Sequence, residues 1–260
     1  MTQVLKFWPL LTATHHYDKS LSTRNVGVGQ IIQAPILAYL IETKNGRILY
    51  DVGCDYSKIN DPKKARYYYD VETFPFGAPQ MQEEQRLPNH LASLGLKAAD
   101  IDVIFLSHLH FDHAGGLCDV CGVEVHVQQD ELAAAESGQD VVYFTDEVVA
   151  QDHWKTKVGE YEVLPGVHAI ASPGHTAGHM SLWVEMPHGS PIIIAGDAAD
   201  LQENITEEIA PGVCWQDQSE LAINSIRKLK KLAVDEGAQL WPNHDYVFWQ
   251  NLKRFPEFYV

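Results

Sequence analysis

The chain has 260 residues, 45% of them hydrophobic and 21% charged, with a formal net charge of −16. That length buries a full core without covalent staples, and no run approaches the roughly 18 apolar residues of a membrane span. The acidic balance repels phosphate backbones, which excludes nucleic acid as a partner class. Cys54, Cys118, Cys121 and Cys214 are too few and too irregular for a disulfide framework, so a reducing, cytoplasmic setting is expected. The opening "MTQVLKFWPLL" is broken by Pro9 and lacks the length of a secretion signal.

In chain order, the first clear hairpin joins "PILAYLIE" (35–42) to "RILYDV" (47–52) through Lys44-Asn45-Gly46, where Asn-Gly supplies positive backbone angles. Residues 57–79, rich in proline, aspartate and aromatics, read as a long loop. A helix is expected from Gln82 to Leu94, ended by Gly95, with Pro88 delaying its start. "IDVIFL" (101–106) reads as a buried strand and "VEVHV" (123–127) as an alternating one, followed by a short helix at 129–137. Further strands are expected at 161–163, 167–171, 180–185, 192–195 and 239–241. Between the last two, 219–236 forms a helix with Leu221, Ile226 and Leu229 on one face and lysines opposite. Strands mixed with helices throughout predict one layered α/β domain over residues 1–260.

The chemistry concentrates in "SHLHFDHAGG" (107–116), which begins where the strand "IDVIFL" stops. His108 and His110 alternate, so an extended segment puts both rings on one side. Asp112 and His113 follow at a turn, and Gly115-Gly116 lets backbone pass closely. Imidazole nitrogen and carboxylate oxygen suit zinc and similar ions. One tetrahedral ion cannot use all four groups of the run, whereas adjacent ions can. More candidates sit past apolar strands: His175 in "SPGHTAGH" (172–179), Asp197 in "IIIAGDAAD" (192–200) and His244 in "LWPNHDY" (240–246). His179 starts a strand and reads as structural; His15 and His16 read as surface or core residues. Cys118-x-x-Cys121, without a second pair, is a weak metal or redox signal.

His108-x-His110-x-Asp112-His113, followed by His175, Asp197 and His244, resembles the metallo-β-lactamase superfamily. Asp51 in "ILYDVG" matches its early aspartate. "SHLHFDHAGG", "GEYEVLPGVHAIASPGHTAGHMSL" and the terminal "FPEF" most resemble the N-acyl-homoserine lactonase, or quorum-quenching, branch. The resemblance implies an αββα sandwich with divalent metals, zinc by ligand type, at one edge of two facing sheets. It implies that one ion takes His108, His110 and His175, the other Asp112, His113 and His244, and that Asp197 bridges them. Asp51 would orient a ligand histidine.

A water shared by such ions loses its proton near neutral pH, and the hydroxide attacks a lactone carbonyl. Asp112 passes a proton to the leaving alkoxide, so Asp112 and Asp197 are the expected catalytic carboxylates. The chain departs from the branch at Asp200, where relatives carry a tyrosine facing the substrate carbonyl. The aromatic stretch "ARYYYDVETFPF" (65–76) is expected to line the substrate through Tyr67, Tyr68, Tyr69, Phe74 and Phe76, with one of the tyrosines replacing the absent one; its alternative use is a contact between two copies of the chain. Asp200 contacts substrate or caps the following turn. The expected partner is a small lactone. An aryl-fused lactone or a thioester, and a non-catalytic metal-binding scaffold, are the alternatives.

Overall fold

The computed structural model describes residues 3–149 and 153–260. Two sheets face each other. The first is ordered β1 (Val4–Asp18), β2 (Ile31–Thr43), β3 (Gly46–Tyr50), β4 (Val103–Phe105), β5 (Glu124–Gln128) and β6 (Trp154–Lys157). The second contains β7 (Tyr161–Leu164), β8 (Val167–Ala171), β9 (Met180–Val184), β10 (Ile192–Ile194) and β11 (Gln239–Trp241), in the order β11-β10-β9-β8-β7. Short helices α1 (Tyr56–Asn60), α2 (Pro62–Tyr68), α3 (Leu87–Ser93), α4 (Phe111–Ala114), α5 (Gln129–Glu136) and α6 (Thr145–Val149) follow the strands of the first sheet. Helices α7 (Gln202–Glu207), α8 (Ser219–Glu236) and α9 (Tyr246–Gln250) accompany the second.

The layering follows from where the apolar side chains go. Phe7, Tyr39, Ile41, Tyr50 and Phe105 of the first sheet meet Val167, Leu182, Val184, Ile194 and Trp241 of the second in one buried cluster. The strands alternate, so Leu10, Leu40, Leu49, Ile104 and Val125 leave the opposite face and pack with Leu87, Leu91 and Ala134 of α3 and α5. On the far side, Ile193 and Ala195 pack with Ile205 and Leu229 of α7 and α8. This is the expected αββα sandwich.

Several expectations need correction. The 15-residue β1 was not foreseen. Pro9 interrupts its pattern, yet β1 is an edge strand, where a missing donor is tolerated. Residues 57–79 are not one loop: the carboxyls of Asp55 and Asp61 cap α1 and α2, and Pro62 takes the first turn of α2. The hairpin turn uses Lys44-Asn45, with Gly46 already paired to Thr43. Gly46 has the positive angle, and Asn45 does not.

Candidate metal centre

The strands end on one rim. β4 delivers Ser107 to α4, and this segment lies so close to residues 52–55 that a side chain on Gly116 would meet the Val52 carbonyl oxygen at 2.0 Å. Val52 N–H donates to the His113 carbonyl at 2.8 Å. At the end of β10, Gly196 turns with φ +58, and Asp197 N–H donates to His179 Nε2 at 2.9 Å. His179 thus holds the Asp197 backbone. His244 N–H donates to the Asp200 carbonyl at 2.8 Å, which sets the end of β11 beside that of β10.

The side chains of His108, His110, Asp112, His113, His175, Asp197 and His244 converge there. Ligand atoms lie within 4.8 Å of one another in the sets His108/His110/His175, His108/His113/Asp197, Asp112/His113/His244 and Asp197/Asp200/His244. Asp197 stands in the middle. Its Oδ2 is 3.8 Å from His108 Nε2 and 3.5 Å from His175 Nε2, while its Oδ1 is 3.2 Å from both His113 Nε2 and His244 Nε2. Asp112 Oδ2 lies 3.8 Å from the Nε2 atoms of His113 and His244.

The rings are anchored from behind. His175 Nδ1 donates to the Val213 carbonyl at 3.1 Å and His244 Nδ1 to the Pro35 carbonyl at 2.8 Å. Since a carbonyl accepts only, each Nδ1 carries a proton and each Nε2 is the atom turned inward to the cluster. His113 Nδ1 is 2.7 Å from Asp51 Oδ2, and His108 Nδ1 is 2.9 Å from Ser107 Oγ. Asp51 also accepts from Ser107 N–H at 2.7 Å and from the Ser107 hydroxyl at 2.8 Å. The buried Nε2 atoms of His108, His110 and His113 close no hydrogen bond. Buried nitrogens left open around a carboxylate fit cations between them, because an unsatisfied buried polar atom is otherwise costly.

The electrostatics divide the cluster. Burial drives the His175 imidazole down to about 3, and burial with the neighbouring His113 and His110 holds His108 well below its usual range. Against the pull of burial, Asp197, Asp200 and Asp112 lift His244 to about 10, and Asp197, Asp112 and Asp51 raise His113. Burial opposes ionisation of Asp197, but His113, His244 and His108 outweigh it and hold the carboxyl well below its usual range. Burial, then the Asp197 charge, pushes Asp200 up. Bound divalent cations would replace protons as the positive charges here, so proton and metal compete for these atoms.

A cavity of about 340 Å³ opens onto the cluster. Phe74, Phe76, Phe111, Val141, Val142 and Val213 make an apolar wall; Asp112, Asp197, Asp200 and His244 line the floor. Phe74, Phe76 and Asp200 are therefore where a substrate would touch them. Tyr67, Tyr68 and Tyr69 are not among the lining residues. Tyr67 is exposed, the Tyr68 hydroxyl donates to Asp146 at 3.1 Å, and Tyr69 is buried against Phe74, Phe111 and Phe144. Of the three, Tyr69 backs the wall, against Phe74 and Phe111.

Sequence reading missed His15 and Tyr17, which line the cavity from β1. It also missed Asn243, whose amide donates to Asp197 Oδ1 at 2.8 Å, and the fully buried Glu131. The Glu131 carboxyl accepts from Leu109 N–H at 3.0 Å and Gly178 N–H at 2.9 Å, tying the His108/His110 segment to the His175 loop. The cysteines are free, and Cys118 and Cys121 lie exposed, away from this cluster.

The family model described as the metallo-beta-lactamase superfamily matches residues 32–238. An N-acyl homoserine lactonase of a Bacillus species is 34% identical over 243 residues, covering 93% of each chain. The N-acyl homoserine lactonase AiiA of Bacillus thuringiensis subsp. kurstaki is 33% identical over 232 residues, covering 88% of this chain and 89% of its own. A solved N-acyl homoserine lactone hydrolase, with the product N-hexanoyl-L-homoserine bound at its catalytic metal centre, superposes with a TM-score of 0.89 at 31% identity, covering 99% of this chain and all (100%) of its own. The chain belongs to the metallo-beta-lactamase superfamily, within the family of the N-acyl homoserine lactonases.

Proposed function

We propose that this protein is a dinuclear metal-dependent hydrolase that opens the ring of an N-acyl homoserine lactone or a closely related lactone. The observation that carries the reading is the position of Asp197, one carboxylate oxygen facing His108 and His175 and the other facing His113 and His244. The ligand sets that follow are His108, His110 and His175 for one ion and Asp112, His113 and His244 for the other, with Asp197 shared. Zinc suits this nitrogen and oxygen set. Bound ions supply a water of lowered pKa and a Lewis acid for the carbonyl oxygen.

The remaining work falls to the chain. Ring opening adds the oxygen of water to the carbonyl carbon, breaks the bond from that carbon to the ring oxygen, and returns a proton to the ring oxygen. Asp112 is the partly exposed carboxylate of the cavity floor, in place to hand that proton over. Asp51 and Ser107 hold His113 and His108 in orientation. Phe74, Phe76, Phe111 and Val142 give an apolar acyl chain a surface to bury. Among the described residues no helix is long and apolar enough to cross a membrane. Cytoplasmic placement and action as one hydrolase domain belong to the same proposal.

A substrate panel on metal-loaded protein tests it: acyl-homoserine lactones of several chain lengths, simple γ- and δ-lactones, an aryl-fused lactone, a thioester and a β-lactam. The expected result is lactone opening with kcat/KM above about 10⁴ M⁻¹s⁻¹ and little turnover of the others. Turnover of the thioester or β-lactam with every lactone inert contradicts the lactonase reading.

A further inference from the structure

A lactone carbonyl oxygen gains negative charge as water adds, and a hydrogen-bond donor placed there lowers the barrier. The polar floor of the cavity is poor in donors: Asp112 and Asp197 present acceptor oxygens, and the His244 Nδ1 proton is committed to the Pro35 carbonyl. On the wall, the His15 Nε2 atom is 2.8 Å from the Gly77 carbonyl.

Tyr17 is different. His15 and Tyr17 lie two apart near the end of β1, so both rings turn to the cavity, their centroids 5.3 Å apart. The Tyr17 hydroxyl meets Ser22 Oγ at 2.9 Å. Ser22 is fully buried and fixed in place, since Asn204 Nδ2 donates to its carbonyl at 2.9 Å. Asp200 is itself buried in the cavity floor, with Oδ1 unpartnered. Either hydroxyl can donate in the Tyr17–Ser22 contact, so with Ser22 as its donor the phenol proton is free to turn away.

We propose that the Tyr17 hydroxyl turns from Ser22 to donate to the lactone oxygen that gains charge during ring opening. The inference rests on the lactonase reading above and names a donor for the same site. A phenol titrates near pH 10 and so carries its proton at neutral pH. Turning replaces a neutral hydrogen bond with a charge-assisted one, roughly twice as strong. Because the acceptor is charged only in the transition state, the contact acts on kcat more than on KM. The donor comes from the edge strand of the first sheet and not from the 67–69 tyrosines.

The test compares Tyr17→Phe with Ser22→Ala on an acyl-homoserine lactone. Each variant is also checked for metal content and for affinity to the corresponding lactam, which binds without ring opening. Tyr17→Phe is expected to lower kcat by about 100–1000-fold, with KM, lactam affinity and metal content near those of the parent protein. Ser22→Ala leaves the phenol in place and is expected to lower kcat by no more than about fivefold, the worth of one neutral hydrogen bond. Equal losses in the two variants assign Tyr17 a structural role and overturn the proposal, as does a Tyr17→Phe enzyme with the parent kcat. A parent protein that holds its metal yet opens no lactone overturns the functional reading and this inference with it. A parent that opens the ring no faster than Tyr17→Phe overturns the inference alone.

Discussion

Asp197→Asn is expected to weaken retention of both metal ions together and to lower lactone hydrolysis by more than the roughly 10–100-fold that loss of an outer-shell partner costs. The carboxylate offers Oδ2 to His108 and His175 at 3.8 and 3.5 Å, and Oδ1 to His113 and His244 at 3.2 Å. An amide of the same shape keeps one acceptor oxygen and turns the other into a donor with no lone pair to give. Asn243 donates to Oδ1, so the retained oxygen stays on that side and the His108/His175 side loses its anion. The negative charge that offsets repulsion between adjacent cations is lost for both. His244→Ala, by contrast, removes a group only from the Asp112/His113 side and is expected to keep about one ion of a two-metal site. Elemental analysis after dialysis distinguishes the patterns. Full metal and full activity in Asp197→Asn contradict a shared carboxylate.

Glu131→Ala carries the second large effect, through stability. The Glu131 carboxyl accepts from Leu109 N–H, Gly178 N–H and the Tyr143 hydroxyl, all buried. Truncation strands these donors, and a buried unsatisfied donor costs about 1–3 kcal/mol. The expected destabilisation is about 4 kcal/mol, near the upper end of single substitutions, which for a chain of this size lowers Tm by about 10 °C. Leu109 lies between His108 and His110, and Gly178 belongs to the loop of His175, so metal affinity should fall as well. Glu131→Gln keeps the volume but turns a donor toward a backbone N–H, and an intermediate loss is expected. Thermal unfolding of metal-free protein gives the stability term, and an unchanged Tm in Glu131→Ala contradicts it.

What the sequence discloses and what it hides divide along a physical line. The histidine run, His175, Asp197 and His244 each follow an apolar strand, and buried strands bring their ends to a common rim, so these side chains can be grouped before any coordinates exist. The strands of the second sheet are legible for the same reason: "MSLWV" and "III" are bounded runs that suit a buried, two-faced position. Glu131 is hidden because a carboxylate on a short helix reads as solvated; its burial comes from the approach of residues 109 and 178, distant in the chain. Tyr17 is hidden because its strand is. With Pro9 inside and mixed residues after Leu11, β1 lacks a clean alternation, and its pairing with β2 includes a register shift between Leu11 and Ala13. The cavity is not lined by Tyr67–Tyr69 because of packing: Tyr67 stays exposed, Tyr68 turns to Phe144 and Asp146, and Tyr69, just past α2, turns to Phe111. Asp61-Pro62 did signal a helix start, but the density of loop-forming residues around it obscured the capping pattern.

The central claim is that a shared-carboxylate metal centre at the strand ends performs lactone hydrolysis. The most direct measurement strips the protein with a chelator, verifies that it remains folded, and adds zinc stepwise while following acyl-homoserine lactone opening and bound metal together. The account predicts an inactive stripped protein whose activity rises with bound zinc and saturates near about two ions per chain. A folded, metal-free protein that opens the lactone at the rate of the loaded one would contradict it.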